Sequence, residues 1–209
     1  MKLLVVSATE LEIEPFLRSK SCDVLITGVG IHSVIFHLTR ELLENKFDMV
    51  IQAGIAGSFS EDLKPGKVVI IERDAFGDIG VEENGKFKTT FEMGFGDANE
   101  FPFNEGWLKN NSDILNSSGL EKVTAITLSK ISDSEKQKQQ LIEKFQPGIE
   151  SMEGAAFHYV CLQQKIPFIQ LRSISNYVGE RDKSKWRIGD AVINLNEELI
   201  KITDAIKEK

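Results

Sequence analysis

The stretch Glu150-Ser151-Met152-Glu153-Gly154-Ala155-Ala156, followed after a helix's length by Phe168-Ile169-Gln170-Leu171-Arg172-Ser173-Ile174-Ser175-Asn176, decides the fold. Pro147-Gly148 ends whatever precedes it, and a short strand leads to Glu150. The small residues after Glu153 predict a close-packed helix from about Met152 to Gln164. Pro167 then opens a strand to Ser175, with the amide of Asn176 at its end. Strand, helix and strand in that order form a right-handed crossover between parallel neighbours.

The same alternation extends back to the N-terminus. Leu3 to Val6 is a continuous apolar run, as expected of a strand covered on both faces. A turn and short helix follow from Glu10 to Arg18, with Pro15 near its start. Asp23 to Thr27 and Asp48 to Ala53 read as strands, closing on Gly28-Val29-Gly30 and Gly54-Ile55-Ala56-Gly57-Ser58. Between them a helix from Ile31 to Asn45 repeats apolar residues at Val34, Ile35, Leu38 and Leu42. Lys67 to Glu72 and Val123 to Leu128 are further strands, and Asn84-Gly85 marks a hairpin between Glu82 and Lys88. Ser132-Asp133-Ser134-Glu135 carries a capping-box signature for a helix to about Phe145. Residues 89–111 lose all periodicity and predict a long loop able to cover a site. An amphipathic helix from about Ala191 closes the chain, with Val192, Leu195, Leu199, Ile202 and Ile206 on one face.

These elements predict an α/β fold: one domain over residues 1–209, with a mostly parallel, mixed, twisted sheet flanked by helices. Ligands on such sheets sit at the C-terminal ends of the strands. That rule selects a single rim made of Ser7 to Glu12, Gly28 to Gly30, Gly54 to Ser58, Leu128 to Ser132, Glu150 to Glu153, and Asn176.

Composition narrows the chemistry. A net charge of −7 over 209 residues argues against nucleic acid or an anionic membrane as partner, though a small ligand remains open. Two cysteines, Cys22 and Cys161, fit a reducing cytoplasm better than a disulfide framework, and no membrane span or signal segment is expected. Gly28-Val29-Gly30 lacks the third glycine of a dinucleotide fingerprint, and neither glycine run is followed by the Lys-Ser/Thr of a phosphate loop. Both glycine runs read as tight turns, and no cofactor is expected. His32, His37 and His158 are not at ligand spacing, so no metal site is expected, and no Gly-x-Ser-x-Gly elbow is present. Glu10, Glu12 and Glu14 read by default as a solvated helix face. Glu153 fits either an ordinary first-turn carboxylate or a charged group that accepts two hydroxyls.

Taken in order, Ser7-Ala8-Thr9-Glu10-Leu11-Glu12, Gly28-Val29-Gly30, Gly54-Ile55-Ala56-Gly57, Ser151-Met152-Glu153-Gly154-Ala155-Ala156 and Arg172-Ser173-Ile174-Ser175-Asn176 resemble the nucleoside phosphorylase and nucleosidase superfamily. The Thr-Glu-Leu-Glu start and the Ser-Asn-Tyr-Val…Arg-Asp-Lys-Ser-Lys-Trp ending are similar to its futalosine hydrolase branch, which serves an alternative menaquinone pathway. The methylthioadenosine/S-adenosylhomocysteine nucleosidases are the sibling branch. The resemblance implies a nucleoside phosphorylase-like fold, a purine nucleoside as the small-molecule partner, and a homo-oligomer of two or more copies.

It also implies roles. Glu12 would polarise the attacking water, and Glu153 would clamp the ribose 2′- and 3′-hydroxyls and favour the cationic sugar. Met152 would pack on the sugar, while Ala56, Gly57 and Ser132 would contact substrate from the rim. Asn176 stands where the adenine-releasing branch has an aspartic acid. An amide cannot protonate N7, but it can donate to and accept from a 6-oxopurine, so hypoxanthine is the expected leaving group. Asp182 could orient a water that supplies the missing proton. A carboxylate at position 12 would repel a phosphate oxygen about 4 Å away by about 4 kcal/mol at an effective dielectric of about 20, which favours water as nucleophile. Arg181, Lys183, Lys185 and Trp186 could receive a 5′ benzoate, and they equally fit a solvated basic turn. An adenine-releasing nucleosidase, a purine nucleoside phosphorylase and a catalytically silent purine-binding protein are the competing readings.

Overall fold

A computed structural model describes residues 1–19, 21–131 and 134–208. Its elements run β1 (Leu3–Ser7), α1 (Glu10–Ser19), β2 (Asp23–Ile26), α2 (Ile31–Glu44), β3 (Met49–Ser58), β4 (Val68–Phe76), β5 (Gly80–Glu83) and β6 (Lys86–Thr89). There follow β7 (Leu108–Lys109), α3 (Ile114–Ser117), β8 (Glu121–Thr127), α4 (Glu135–Phe145), β9 (Ile149–Ser151), α5 (Gly154–Gln163), β10 (Phe168–Tyr177) and α6 (Ile188–Lys207).

The sheet is mixed and mostly parallel. Parallel pairs are β1 with β2 and β3, β3 with β10, β4 with β8, and β8 with β9. The strands β3–β10–β4–β8–β9 return to β3, so they close on themselves, with β9 antiparallel to β3 and β4 antiparallel to β10. Beyond β3, β1 and β2 extend as an open wing.

Alternation along β1 shows why its run is apolar throughout. Leu3 and Val5 join Phe16 of α1 and Leu195 and Leu199 of α6 in one cluster. Leu4 and Val6 face the other way, onto Val34 and Leu38 of α2 and Ala156, Phe157 and Val160 of α5. The helix α5 is buried nearly all round, which its small residues permit.

Several boundaries differ from the sequence reading; β4, for example, runs on to Phe76 rather than ending at Glu72. Gly54 to Ser58 is not a turn but the second half of β3, paired with β10 along most of its length. Glycine is needed at position 54 because a side chain would lie 2.2 Å from Nη1 of Arg172. The last helix starts three residues early, at Ile188, and α5 starts at Gly154 rather than Met152. The capping-box residue Ser132 lies outside the described residues; Ser134 is the N-cap of α4 and accepts from Gln137 N at 3.4 Å. The hairpin is β5–β6, with Asn84 and Gly85 both at positive φ, as a tight type I′ turn requires.

One local device places the first carboxylate. Ile13 leaves helical geometry (φ −125°, ψ 21°) just before Pro15, and the bond from Phe16 N to the Glu12 carbonyl that an unbroken helix would make is replaced. Asn196 of α6 fills the gap: its Oδ1 accepts from Phe16 N at 2.9 Å and its Nδ2 donates to the Glu12 carbonyl at 2.8 Å. Replacing Asn196, which is 1% exposed, by Leu would strand two backbone groups, each worth about 1–3 kcal/mol when buried unpaired. We expect urea unfolding of Asn196→Leu to show a loss of about 2–6 kcal/mol; an unchanged midpoint would mean the kink holds itself.

Candidate active site

A hollow of about 340 Å³ opens at the C-terminal ends of β1, β3, β9 and β10, and Glu12, Glu153 and Asn176 all line it. Ala56, Gly57 and Met152 line it too, so six of the residues singled out from the sequence meet in one place. Two do not. Ser132 lies outside the described residues, although its neighbour Ile131 is part of the wall. Arg181 is exposed in the segment after β10 and does not line the hollow; its charge reaches the site only as a field on Glu150. Lys183 and Lys185 are exposed as well, and Asp182 spends its carboxylate on Ser184, whereas Trp186 does line the cavity.

Glu12 is anchored from several sides. Its Oε2 accepts from Thr9 N (3.1 Å), Thr9 Oγ1 (3.0 Å) and Ser7 Oγ (3.3 Å), while Oε1 accepts, among the described residues, only from Ile55 N (3.0 Å). The spare acceptor capacity is therefore on Oε1. That oxygen lies 3.0 Å from the point where a Cβ on Gly54 would sit, and Nη1 of Arg172 crowds the same point.

Glu153 occupies the N-cap position of α5 without capping it. Thr127 Oγ1 accepts from Ala155 N at 2.7 Å and Ser151 Oγ from Gly154 N at 3.2 Å, so other side chains satisfy the helix end. The carboxylate is thereby released toward the cavity, where Oε1 accepts from Gly30 N at 2.9 Å. The Gly28-Val29-Gly30 turn, at positive φ on both glycines, thus serves to present an amide to Glu153. Burial raises the Glu153 carboxyl above its ordinary range; Arg172 and the Gly30 amide oppose this, and the charge of Glu12 adds to it.

Asn176 is held at both ends of its amide. Ser175 Oγ donates to Oδ1 at 2.7 Å, and Nδ2 donates to the Tyr177 carbonyl at 3.0 Å. One proton on Nδ2 and one lone pair on Oδ1 stay free for a ligand.

Sequence reasoning gave no role to the polar cluster behind this wall. Arg172 is 1% exposed, donates from Nη2 to Gln52 Oε1 at 2.8 Å, and leaves Nε without a partner among the described residues. Asp74 accepts from Thr127 Oγ1 at 3.0 Å and from Gln170 Nε2 at 3.3 Å, and its complete burial raises its pKa to about 7. His158 donates from Nδ1 to the Leu108 carbonyl at 2.9 Å, packs on Phe168, and is pushed down to about 4 by burial, so it is neutral. The detectable signal was a charged or amide side chain inside a run otherwise apolar enough to be a core strand, as Gln170 and Arg172 are in β10.

The unpatterned 89–107 segment does not cover the carboxylate hollow. It closes instead on Phe76, Phe145 and Tyr159, roofing a separate apolar space of about 480 Å³. No group of His, Cys, Asp or Glu able to hold a metal ion occurs among the described residues, and none of their helices is long and apolar enough to cross a membrane.

The model of the phosphorylase superfamily matches residues 5–208. The chain is 26% identical to the futalosine hydrolase of Thermus thermophilus, over 90% of this chain and 89% of that one. It is 27% identical to the 5′-methylthioadenosine/S-adenosylhomocysteine nucleosidase of Colwellia psychrerythraea, over 90% and 81%. The solved structure of the futalosine hydrolase of Helicobacter pylori superposes with a TM-score of 0.82 at 18% identity, covering 98% of each chain, which is a likeness of fold. With its strand-end carboxylates, closed mixed sheet and near full-length match, the chain belongs to the phosphorylase superfamily.

Proposed function

We propose that the chain hydrolyses the N-glycosidic bond of futalosine, releasing hypoxanthine and dehypoxanthine futalosine in the alternative menaquinone pathway. The observation that carries this reading is the meeting of Glu12, Glu153 and the amide of Asn176 around one hollow. Similarity to futalosine hydrolase over nearly the whole chain supports it.

In this reading, cleavage places positive charge on the ribose and negative charge on the purine. Water held on Oε1 of Glu12 attacks C1′ and passes its proton to that carboxylate. Glu153 accepts from the ribose hydroxyls, and its negative charge favours the cationic sugar. Met152 packs against the sugar, and Gly57 with Ala56 leaves room for the base. Asn176 donates to O6 or N7 of the departing ring, which leaves as the hypoxanthine anion and takes its proton from solvent water; hypoxanthine is a better anion than adenine, which suits a site whose reader is an amide.

Water rather than phosphate is favoured by charge. Among the described residues the lining includes three carboxylates, Glu12, Glu150 and Glu153, and no Lys or Arg. A phosphate dianion needs cationic or clustered backbone donors. The enzyme works without a cofactor, in the cytoplasm, where two unpaired cysteines are at home. Self-association is supported by the apolar stripe that α2 exposes, with Phe36 62% and Leu43 71% accessible.

Adenine release is the second reading, favoured by similarity to a methylthioadenosine nucleosidase at comparable identity. A panel of futalosine, aminodeoxyfutalosine and methylthioadenosine, read by chromatography of the freed base with and without phosphate, separates the cases. Hypoxanthine from futalosine in phosphate-free buffer is the expected result. Preferential adenine release would move the chain to the sibling activity, and phosphate-dependent ribose-1-phosphate formation would remove hydrolysis altogether.

A further inference from the structure

Sheet register, rather than any motif, brings Glu150 to the purine end of the hollow. Gly57 of β3 pairs with Glu150 of β9 on one side and with Asn176 of β10 on the other. The three residues therefore form one row across three neighbouring strands, and directly paired residues project to the same face. The central residue has no side chain. A Cβ built on Gly57 would lie 3.5 Å from Cγ of Glu150 and 3.6 Å from Nδ2 of Asn176, so both polar groups overhang the same glycine. Both also line the cavity. Glu150 is 4% exposed, and no hydrogen bond or ion pair engages its carboxyl among the described residues. A buried carboxyl without a partner, facing a cavity, is poised for a ligand's donor.

We infer that Glu150 is a specificity-determining residue that reads N1 of the purine beside Asn176 and selects 6-oxopurines over 6-aminopurines. The inference rests on the nucleosidase reading above. A 6-oxopurine offers O6 as acceptor and N1–H as donor, matching the free Nδ2 proton of Asn176 and the lone pairs of an ionised Glu150. A 6-aminopurine offers the reverse pair, an amino donor and an N1 lone pair. Two donors then meet at Asn176 and two lone pairs at Glu150. Sites that hydrogen-bond a particular substrate N–H reject the analogue lacking it far more strongly than apolar pockets reject a changed methylene.

Protonation adds a second signature. Burial raises the Glu150 carboxyl to about 7, opposed by the charges of Arg181 after β10 and Lys138 on α4; Glu12 and Glu153 are the other ionisable groups lining the hollow. Below that pH the carboxyl is neutral and can donate to N1 of an aminopurine; above it, only acceptance remains. Selectivity for the oxo form should therefore climb as pH rises through about 7.

The test uses two nucleosides with the same 5′ group that differ only in 6-oxo or 6-amino. Their kcat/KM ratio is measured from about pH 5.5 to about pH 8.5 for the parent, Glu150→Gln and Glu150→Leu, with thermal unfolding to check folding. The parent ratio is expected to rise about tenfold or more across that range, and both variants to lose about tenfold or more of it at high pH and give a flat profile. A flat parent profile overturns the inference even if neither variant folds, as do variants that keep the parent ratio at every pH. Failure of the parent to cleave either nucleoside would sink the nucleosidase reading instead.

Discussion

A Glu12→Gln enzyme should bind its nucleoside about as tightly as the parent and turn it over about 10²- to 10⁴-fold more slowly, the usual worth of a positioned general base. The anchoring of the side chain explains why the loss should fall on kcat. Ser7, Thr9 and Ile55 all donate to this carboxylate, with three of those bonds on Oε2. A glutamine can satisfy the Thr9 and Ser7 donors with its oxygen, but its NH2 must then face the Ile55 amide and the attacking water, where an acceptor is required. Substrate contacts elsewhere in the hollow are untouched, so KM should change little. Steady-state release of the purine, together with direct titration of the free base, reads both quantities. Unchanged turnover would mean that Glu12 activates nothing and that another group holds the attacking water.

Removing the second carboxylate should be as costly and differently distributed. Glu153→Gln is expected to lower kcat/KM by about 10²- to 10³-fold, in the range found when one electrostatic stabiliser of a transition state is lost. The amide oxygen can still accept from Gly30 N, which Glu153 Oε1 engages at 2.9 Å. The negative charge and one of two hydroxyl-accepting positions are gone, so binding and chemistry both suffer. A clamp on ribose hydroxyls also predicts which substrates notice. The parent should discriminate strongly against 2′-deoxynucleosides, and the variant should treat ribo and deoxy forms nearly alike. If Glu153→Gln kept the parent's ribo-to-deoxy ratio, the carboxylate would not be touching the sugar.

The rim was legible because it follows from chain order. Apolar runs, glycine turns and helical periodicity locate the strand ends, and in α/β folds strand ends are where ligands sit. Glu12, Glu153 and Asn176 each stand just after or at the end of a strand, so chain order put them on the rim, while their roles came from the family resemblance. Arg181 was nominated on proximity in sequence, and the chain after β10 turns its side chain outward instead. Residues 89–111 fit a lid or a contact between copies from sequence alone, and the aromatic residues of that stretch pack over a different hollow. A polar charge or an aromatic ring has no period from which its direction can be read.

The sequence by itself determined most of the elements, the two-sided burial of the first strand and the residues at the strand ends, because these depend on neighbours within a few positions. Only the tertiary structure decided that Gly54 to Ser58 continues β3, that five strands close into a ring, and that Glu150 and Asn176 flank Gly57 in one row. It alone brought Asn196, 184 positions away, to the broken turn that holds Glu12. Strand pairing and amide insertion are choices among distant partners of equal local propensity, settled by which arrangement buries the apolar faces while leaving fewest polar groups unpaired.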